Sequence, residues 1–236
     1  MLNYDNISIA QATAIQNELR DKIILETQNT SVRTIAGADI SHNKDTDVVY
    51  AGIVVLSYPE MVLQSYTLVI ARTKFPYVPG FLGFREVPCL LQAWQLLPEK
   101  PDILVLDGHG ITHQRGAGIA SQFGIIANTA TIGCAKNMLF GNYAPLGLEK
   151  FSRSPIMHNS QTLGYALRTK TGVKPVYISP GHKITVEDTL NIIKHCTGKY
   201  RIPEPTRIAH EKVNLFRVGK LTAGHHTVTT QPDLFS

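Results

Sequence analysis

Three acidic residues occupy positions where a lone carboxylate is costly. Asp39 interrupts the small and apolar run RTIAGADIS, Asp107 closes the apolar run DILVLD just before a glycine, and Glu86 lies in PGFLGFREVP. A carboxylate withdrawn from water either takes up a proton or finds a cation, so an acid in such a run calls for a metal, an arginine or backbone donors. Taken singly, each has an ordinary explanation: the aspartates cap turns, and the glutamate sits on a solvated helix face. Converging without enough Lys or Arg between them, the three would repel by several kcal/mol unless a divalent ion neutralised them. Oxygen-only ligands select a hard cation, Mg2+ with Mn2+ as its substitute.

Other constellations are weaker. His109 and His113 have an H-x-x-x-H spacing, but no Glu follows the first, and Gly108 and Gly110 oppose a helix there, which excludes the zinc-protease motif. Gly116 and Gly118 lack the third glycine and the preceding strand of a dinucleotide loop. Tyr77 lies in PYVP, where two prolines restrict the backbone and hold an aromatic ring out on a loop. A ring so held loses little entropy on entering a base stack; its alternative is to fold back onto Phe75 or Phe81.

Hydropathy patterning supplies the elements that must position these groups. Residues 9–26 carry apolar side chains at helical spacing behind Ser8, a suitable N-cap. Residues 32–40, 48–57 and 61–72 are apolar or alternating runs with short polar linkers, which predicts a three-stranded antiparallel meander. After the loop KFPYVPG, residues 81–97 read as helical, with Pro88 expected as a break or in the first turn of a second helix. Residues 103–106 form a short buried strand, 116–127 a helix and 131–135 another buried strand, together a parallel crossover. If the first and fourth strands are neighbours, Asp39 and Asp107 lie side by side at the carboxyl end of the sheet, where α/β sheets place their sites. Glu86 would reach the same cluster from the intervening helix.

Further strands are expected at 162–170 and 173–179, a helix at 185–195 opened by Thr185 and Asp188, and a final helix at 205–216. No repeat or linker divides residues 1–220. The expected fold is therefore one α/β domain over residues 1–222, a mixed sheet with an antiparallel meander, parallel strands and helices on both faces. Residues 223–236 lack periodicity and read as a flexible tail.

Composition narrows the class. Of 236 residues, 43% are apolar and 17% charged, which is not the signature of disorder. No run approaches the roughly 20 apolar residues of a bilayer span, and the start MLNYDNISIAQ has no signal core, so no membrane association is expected. Cys89, Cys134 and Cys196 are few, odd in number and widely spaced, consistent with a reducing cytoplasm. A net charge of +5 leaves a nucleic-acid partner about even on charge alone.

Several segments together carry a specific resemblance: AGADIS at 36–41, PYVPGFLGFREVP at 76–88, LDGHGITHQRGAGIASQFG at 106–124, IGCAK at 132–136, PVYISPGHKI at 175–184 and IPEPTRIAHE at 202–211. In order and spacing the chain resembles the endonuclease V family, deoxyinosine-directed repair nucleases of ribonuclease H-like fold. The resemblance implies that Asp39, Glu86 and Asp107 are the metal-binding acids and that Lys136 and His210 complete the catalytic group. It implies that Tyr77 is the wedge filling the gap left by an extruded nucleotide. Gly80, Leu82 and Gly108 then line the base pocket, and His113 belongs to the loop beside it. Lys136 is suited to orienting a water or a phosphate oxygen. His210 could be a second-ion ligand, a proton carrier or an ordinary helix histidine. The family usually has Pro where this chain has Gln114.

The implied activity is Mg2+-dependent hydrolysis of DNA on the 3′ side of deoxyinosine, in double- or single-stranded DNA, leaving a 3′-hydroxyl and a 5′-phosphate. Inosine-containing RNA is the alternative substrate. A non-catalytic lesion binder is the alternative class, though such a protein gains nothing from repelling acids beside phosphate. At the end of the chain, Gln231, Leu234 and Phe235 resemble the short peptide by which bacterial repair and replication proteins dock onto the sliding clamp. A monomer is the expected state.

Overall fold

The computed structural model describes residues 4–28, 31–43 and 46–228. Helix α1, Ile9–Arg20, opens with a complete capping box: Ser8 Oγ accepts from Gln11 N at 3.2 Å, and the Gln11 side chain accepts from Ser8 N at 2.8 Å. Strands β1 (Thr34–His42), β2 (Val48–Ser57) and β3 (Leu63–Arg72) form the expected antiparallel meander. Helix α2 (Leu82–Gln95), strand β4 (Ile103–Leu106), helix α3 (Ile119–Ala127) and strand β5 (Ala130–Ala135) follow, and β4 pairs in parallel with both β1 and β5. Strands β6 (Arg153–His158), β7 (Gln161–Leu167) and β8 (Val176–His182) make a second antiparallel meander, joined to β5 through β8. Helices α4 (Val186–His195) and α5 (Glu204–Arg217) and strand β9 (Gly224–Thr227) complete the order. Among the described residues the result is one nine-stranded mixed sheet, β6-β7-β8-β5-β4-β1-β2-β3-β9, the ribonuclease H-like arrangement that the resemblance implies.

Alternation along the strands divides the core into two layers. Ala36, Leu104 and Leu106 face α2 and α3 through Val87, Leu90 and Phe123. Ile35, Ile103 and Val105 face α4 and α5 through Leu190, Ile193 and Ala209. Gly37 sets how closely α5 lies on the sheet, because a Cβ there would stand 1.9 Å from the carbonyl oxygen of Pro205. That close approach carries the middle of α5 to the end of β1.

The structure departs from expectation at four places. Helix α1 ends at Arg20, six residues early. Helix α2 runs through Pro88 without a break; its apolar face, with Phe84, Val87, Leu90 and Trp94 buried, holds the helix together across the missing amide. Strand β6 was not expected because Pro155 interrupts it, which is tolerated on an edge strand. Strand β9 corrects the domain boundary at 222: residues 224–227 pair with β3, and Val228 N donates to Gln64 O at 2.8 Å. Backbone pairing on an open edge needs no apolar periodicity, so GHHT gave no signal. Gln231, Leu234 and Phe235 lie outside the described residues. Among the described residues no helix is long and apolar enough to cross a membrane.

Candidate active site

The sheet brings the three acids together by register. Strands β1 and β4 run parallel with Ala38 opposite Leu106, so the next residues, Asp39 and Asp107, emerge side by side at the carboxyl end. Glu86 projects from the second turn of α2. All three line one cavity of about 280 Å3, together with Tyr77, Leu82 and Ile119.

Each acid has a different environment. Asp39 is 8% exposed and accepts a hydrogen bond from His210 Nδ1 at 3.0 Å. Burial raises its proton affinity, the His210 hydrogen bond opposes that, and the net direction is upward. Asp107 is ion-paired with Lys136 Nζ. Burial lowers the proton affinity of that ammonium, but the Asp107 carboxylate outweighs it and leaves the lysine above its ordinary value. Glu86, half-buried, is pushed up to about 8, first by desolvation and then by the charges of Asp39 and Asp107.

This donor set fits a hard divalent cation in chemistry. Among the described residues no three His, Cys, Asp or Glu side chains already stand in ligand geometry; Lys136 pairs with Asp107 and His210 with Asp39. Glu86 accepts no hydrogen bond from a described residue, and the Arg85 charge only partly offsets the cost of the two carboxylates it faces when ionised. A cation held by oxygen ligands removes that cost.

His210 is held from both sides. With the ring neutral, Nδ1–H donates to Asp39 and Nε2 accepts from Asn214 Nδ2 at 3.0 Å, while Ser41 Oγ donates to Asn214 Oδ1 at 3.3 Å. The Asp39 hydrogen bond, against partial burial, raises the imidazole above its ordinary value.

A second cavity of about 340 Å3 adjoins the first. Gly80, Gly108, His113 and Lys136 line it, and Tyr77, Leu82, Asp107 and Ile119 line both. Tyr77 is 72% exposed; Phe75 and Phe81 are buried against Phe84, so the tyrosine does not fold back onto them. The loop after β4 is fixed by its own backbone: His113 N donates to Ile111 O at 2.7 Å, Gly116 N to His113 O at 2.8 Å and Gly118 N to Gly110 O at 3.0 Å. Gln114 therefore leaves this loop ordered without the family's proline. His113 is buried and its proton affinity is pushed down to about 4, first by desolvation, so the ring is neutral near pH 7. His109 is likewise pushed down to about 4 by burial. Its Nε2–H donates to Asn137 O at 3.1 Å, and its Nδ1 accepts from Thr112 Oγ1 at 3.0 Å.

Residues 17–211 match the family model for Endonuclease V. The chain belongs to the endonuclease V family. Endonuclease V of Trichormus variabilis (strain ATCC 29413 / PCC 7937) is 43% identical over 204 residues, 86% of this chain and 92% of that protein. The crystal structure of Endonuclease V from Streptomyces avermitilis matches with a TM-score of 0.85 at 35% identity, covering 91% of this chain and 95% of that one. Endonuclease V from Ciona intestinalis, solved in complex with a 24mer DNA containing an inosine followed by a ribo-adenosine, matches with a TM-score of 0.78 at 31% identity, covering 89% and 98%.

Within this endonuclease V fold, three contributors carry no motif-like signal. Arg201 donates to Lys136 O and Pro175 O, both at 2.7 Å, and to Lys174 O at 2.9 Å, which fixes the strand end that presents Lys136. Asn214 orients His210. Gln16 reaches the second cavity from α1. His182, in SPGHKI, accepts from Ile24 N at 3.2 Å and has a packing role.

Proposed function

We propose that this endonuclease V family member is a DNA repair endonuclease that nicks DNA on the 3′ side of deoxyinosine and leaves a 3′-hydroxyl and a 5′-phosphate. The observation that supports it most directly is the shared wall. A cavity sized for a base and a cavity lined by three acids are separated only by Tyr77, Leu82, Asp107 and Ile119. A nucleotide turned out of the duplex would enter the first, which leaves its neighbouring phosphodiester at the second. The Ciona intestinalis relative, bound to inosine-containing DNA, supports hypoxanthine as that base.

Asp39, Glu86 and Asp107 would hold Mg2+, or Mn2+ in its place, which supplies the charge neutralisation that attack on a phosphodiester and departure of its 3′ oxygen require. Lys136, paired with Asp107, presents a compact positive charge at the boundary of the two cavities, suited to a phosphate oxygen or to an attacking water. His210 holds Asp39 and is exposed enough to exchange protons with solvent. Tyr77 fills the space left by the extruded nucleotide, and Leu82 and Ile119 exclude water between the cavities.

Cleavage of a duplex bearing one deoxyinosine, with Mg2+, with chelator and with Asp39→Ala, tests this reading. The expected result is a single nick 3′ to the lesion that chelator and the substitution both abolish; a nick that survives Asp39→Ala takes that residue out of the mechanism. The ribo-adenosine after the inosine in the Ciona complex favours a second reading, that a ribose is accepted beside the lesion. Matched deoxyinosine and inosine oligonucleotides separate the two.

A further inference from the structure

The loop carrying Tyr77 is fastened at both ends by side chains with no part in hydrolysis. At its start, Arg85 Nη1 donates to Phe75 O at 2.7 Å. At its end three donors converge on one oxygen: Gln16 Nε2 at 2.9 Å, His113 Nε2 at 2.9 Å and Arg115 Nη2 at 2.7 Å all reach Gly80 O. Gly80 has φ +80°, a conformation glycine adopts without strain, and a Cβ there would stand 2.7 Å from Gln114 Nε2.

The donors are themselves fixed. Gln16 Oε1 accepts from Arg115 Nε, and Gln16 Nε2 also reaches Ala117 O at 3.2 Å. His113 Nδ1 accepts from Arg115 N at 3.2 Å, which leaves Nε2 as the ring's N–H. The Arg115 guanidinium lies over the Phe81 ring, 4.1 Å from its centroid. Gln16 is 2% exposed, sits on α1 and lies one residue outside the span that the family model covers. A buried glutamine satisfied at both ends of its amide is a constructed contact between helix and loop.

Two consequences follow from the geometry. A carbonyl oxygen has two lone pairs, so Gly80 O, meeting three donors, has none left for a base. The exposed ring of Tyr77 stands on a backbone immobilised at both ends, so no loop ordering opposes its insertion.

We propose that Gln16, with Arg85 and Arg115, is a positioning residue that holds the Tyr77 loop rigid, making α1 part of the apparatus that recognises the extruded base. The proposal rests on the deoxyinosine reading for its kinetic arm and on the free protein for its structural arm.

Gln16→Met keeps length and removes both polar atoms; Gln16→Glu keeps an acceptor for Arg115 and removes the donor to Gly80. Amide hydrogen exchange of the free variants is followed across residues 75–82 and across the sheet. Exchange in 75–82 should rise about tenfold in Gln16→Met, the equivalent of one hydrogen bond, and less in Gln16→Glu, with sheet amides unmoved. On a deoxyinosine duplex, KM should rise by about tenfold more than kcat falls. Unchanged exchange in 75–82 overturns the clamp whatever the kinetics show, and faster exchange with KM unmoved overturns the positioning role. Faster exchange in the variants, with deoxyinosine left uncut by the wild-type protein itself, keeps the clamp and removes the proposed substrate instead.

Discussion

His210 Nδ1 stands 3.0 Å from Asp39 Oδ2, a contact that ties the last long helix to the first strand across 171 positions of sequence. The hydrogen bond raises the imidazole above its ordinary value, against some loss from burial. Its contribution to stability is therefore complete below about pH 6.5 and is lost as pH rises through the higher folded value. An NMR titration in chelator should place His210 above an unperturbed histidine and return it toward that value in Asp39→Asn. Identical titrations in the two proteins would disconnect the pair.

Glu86 gives a pH dependence of the same sign from a different cause, desolvation and like charge in place of a hydrogen-bonded partner. Its folded value of about 8, against an ordinary 4.5, means that between these limits the native state keeps a proton that the unfolded state has released. Stability of the metal-free protein should fall as pH rises through this window, by at most about 1.4 kcal/mol per pH unit. Urea denaturation at pH 5 and pH 8 should show the fall in wild type and much less of it in Glu86→Gln. Added Mg2+ at pH 8 should raise the wild-type midpoint more than the variant's. Parallel pH dependence of the two proteins would assign the titration elsewhere.

On the proposed function, Lys136 would compete with a cation for Asp107, since the ammonium already sits on that carboxylate. Both side chains are partly exposed, so the competition is screened and is worth about 1 kcal/mol. Lys136→Met should therefore bind Mn2+ about fivefold more tightly by electron paramagnetic resonance, yet cleave about a hundredfold more slowly. Weaker Mn2+ binding in the variant would mean that the lysine organises the ligand set and does not oppose it.

Why some of this site is legible in the sequence and some is not has a physical basis. Asp39 and Asp107 are conspicuous because a charge in an apolar run must have a partner, and Tyr77 because Pro76 and Pro79 restrict its loop. The β1–β4 pairing that brings the acids together stays conditional in the sequence, because short linkers and one crossover do not decide which edge of the meander the fourth strand joins; the sheet register supplies it. Gln16, Arg201 and Asn214 are silent for a common reason: each acts on a backbone carbonyl or an imidazole that only the tertiary fold brings near. A glutamine on an amphipathic helix or an arginine in a polar loop looks like surface until its acceptor is known. Edge strands β6 and β9 carry no hydropathy signal on similar grounds, because backbone pairing holds them.

Arg201 illustrates how such a residue can be tested. Its three hydrogen bonds to the carbonyls of Lys136, Lys174 and Pro175 close the gap between β5 and the segment before β8. Arg201→Ala should cost about 2 kcal/mol in urea denaturation and slow cleavage by loosening the strand end that presents Lys136. Arg201→Lys should recover less than half of both, because an ammonium cannot reproduce the planar fork. Full recovery by lysine would show that charge, and not geometry, is what the position requires.

Tyr77 separates fold from function most cleanly. At 72% exposure the ring contributes little to the core, so Tyr77→Ala should leave the thermal midpoint nearly unchanged. Stacking of an aromatic ring on a base is worth about 1–3 kcal/mol, so cleavage of a deoxyinosine duplex should fall by about tenfold to a hundredfold. A single strand has no opposing stack to hold open, so its cleavage should fall less, and Tyr77→Phe, which keeps the ring, should behave as wild type on both. Equal losses on duplex and single strand would mean that the ring grips the bases without filling a gap, and the function of the rigid PYVP loop would then be contact and not insertion.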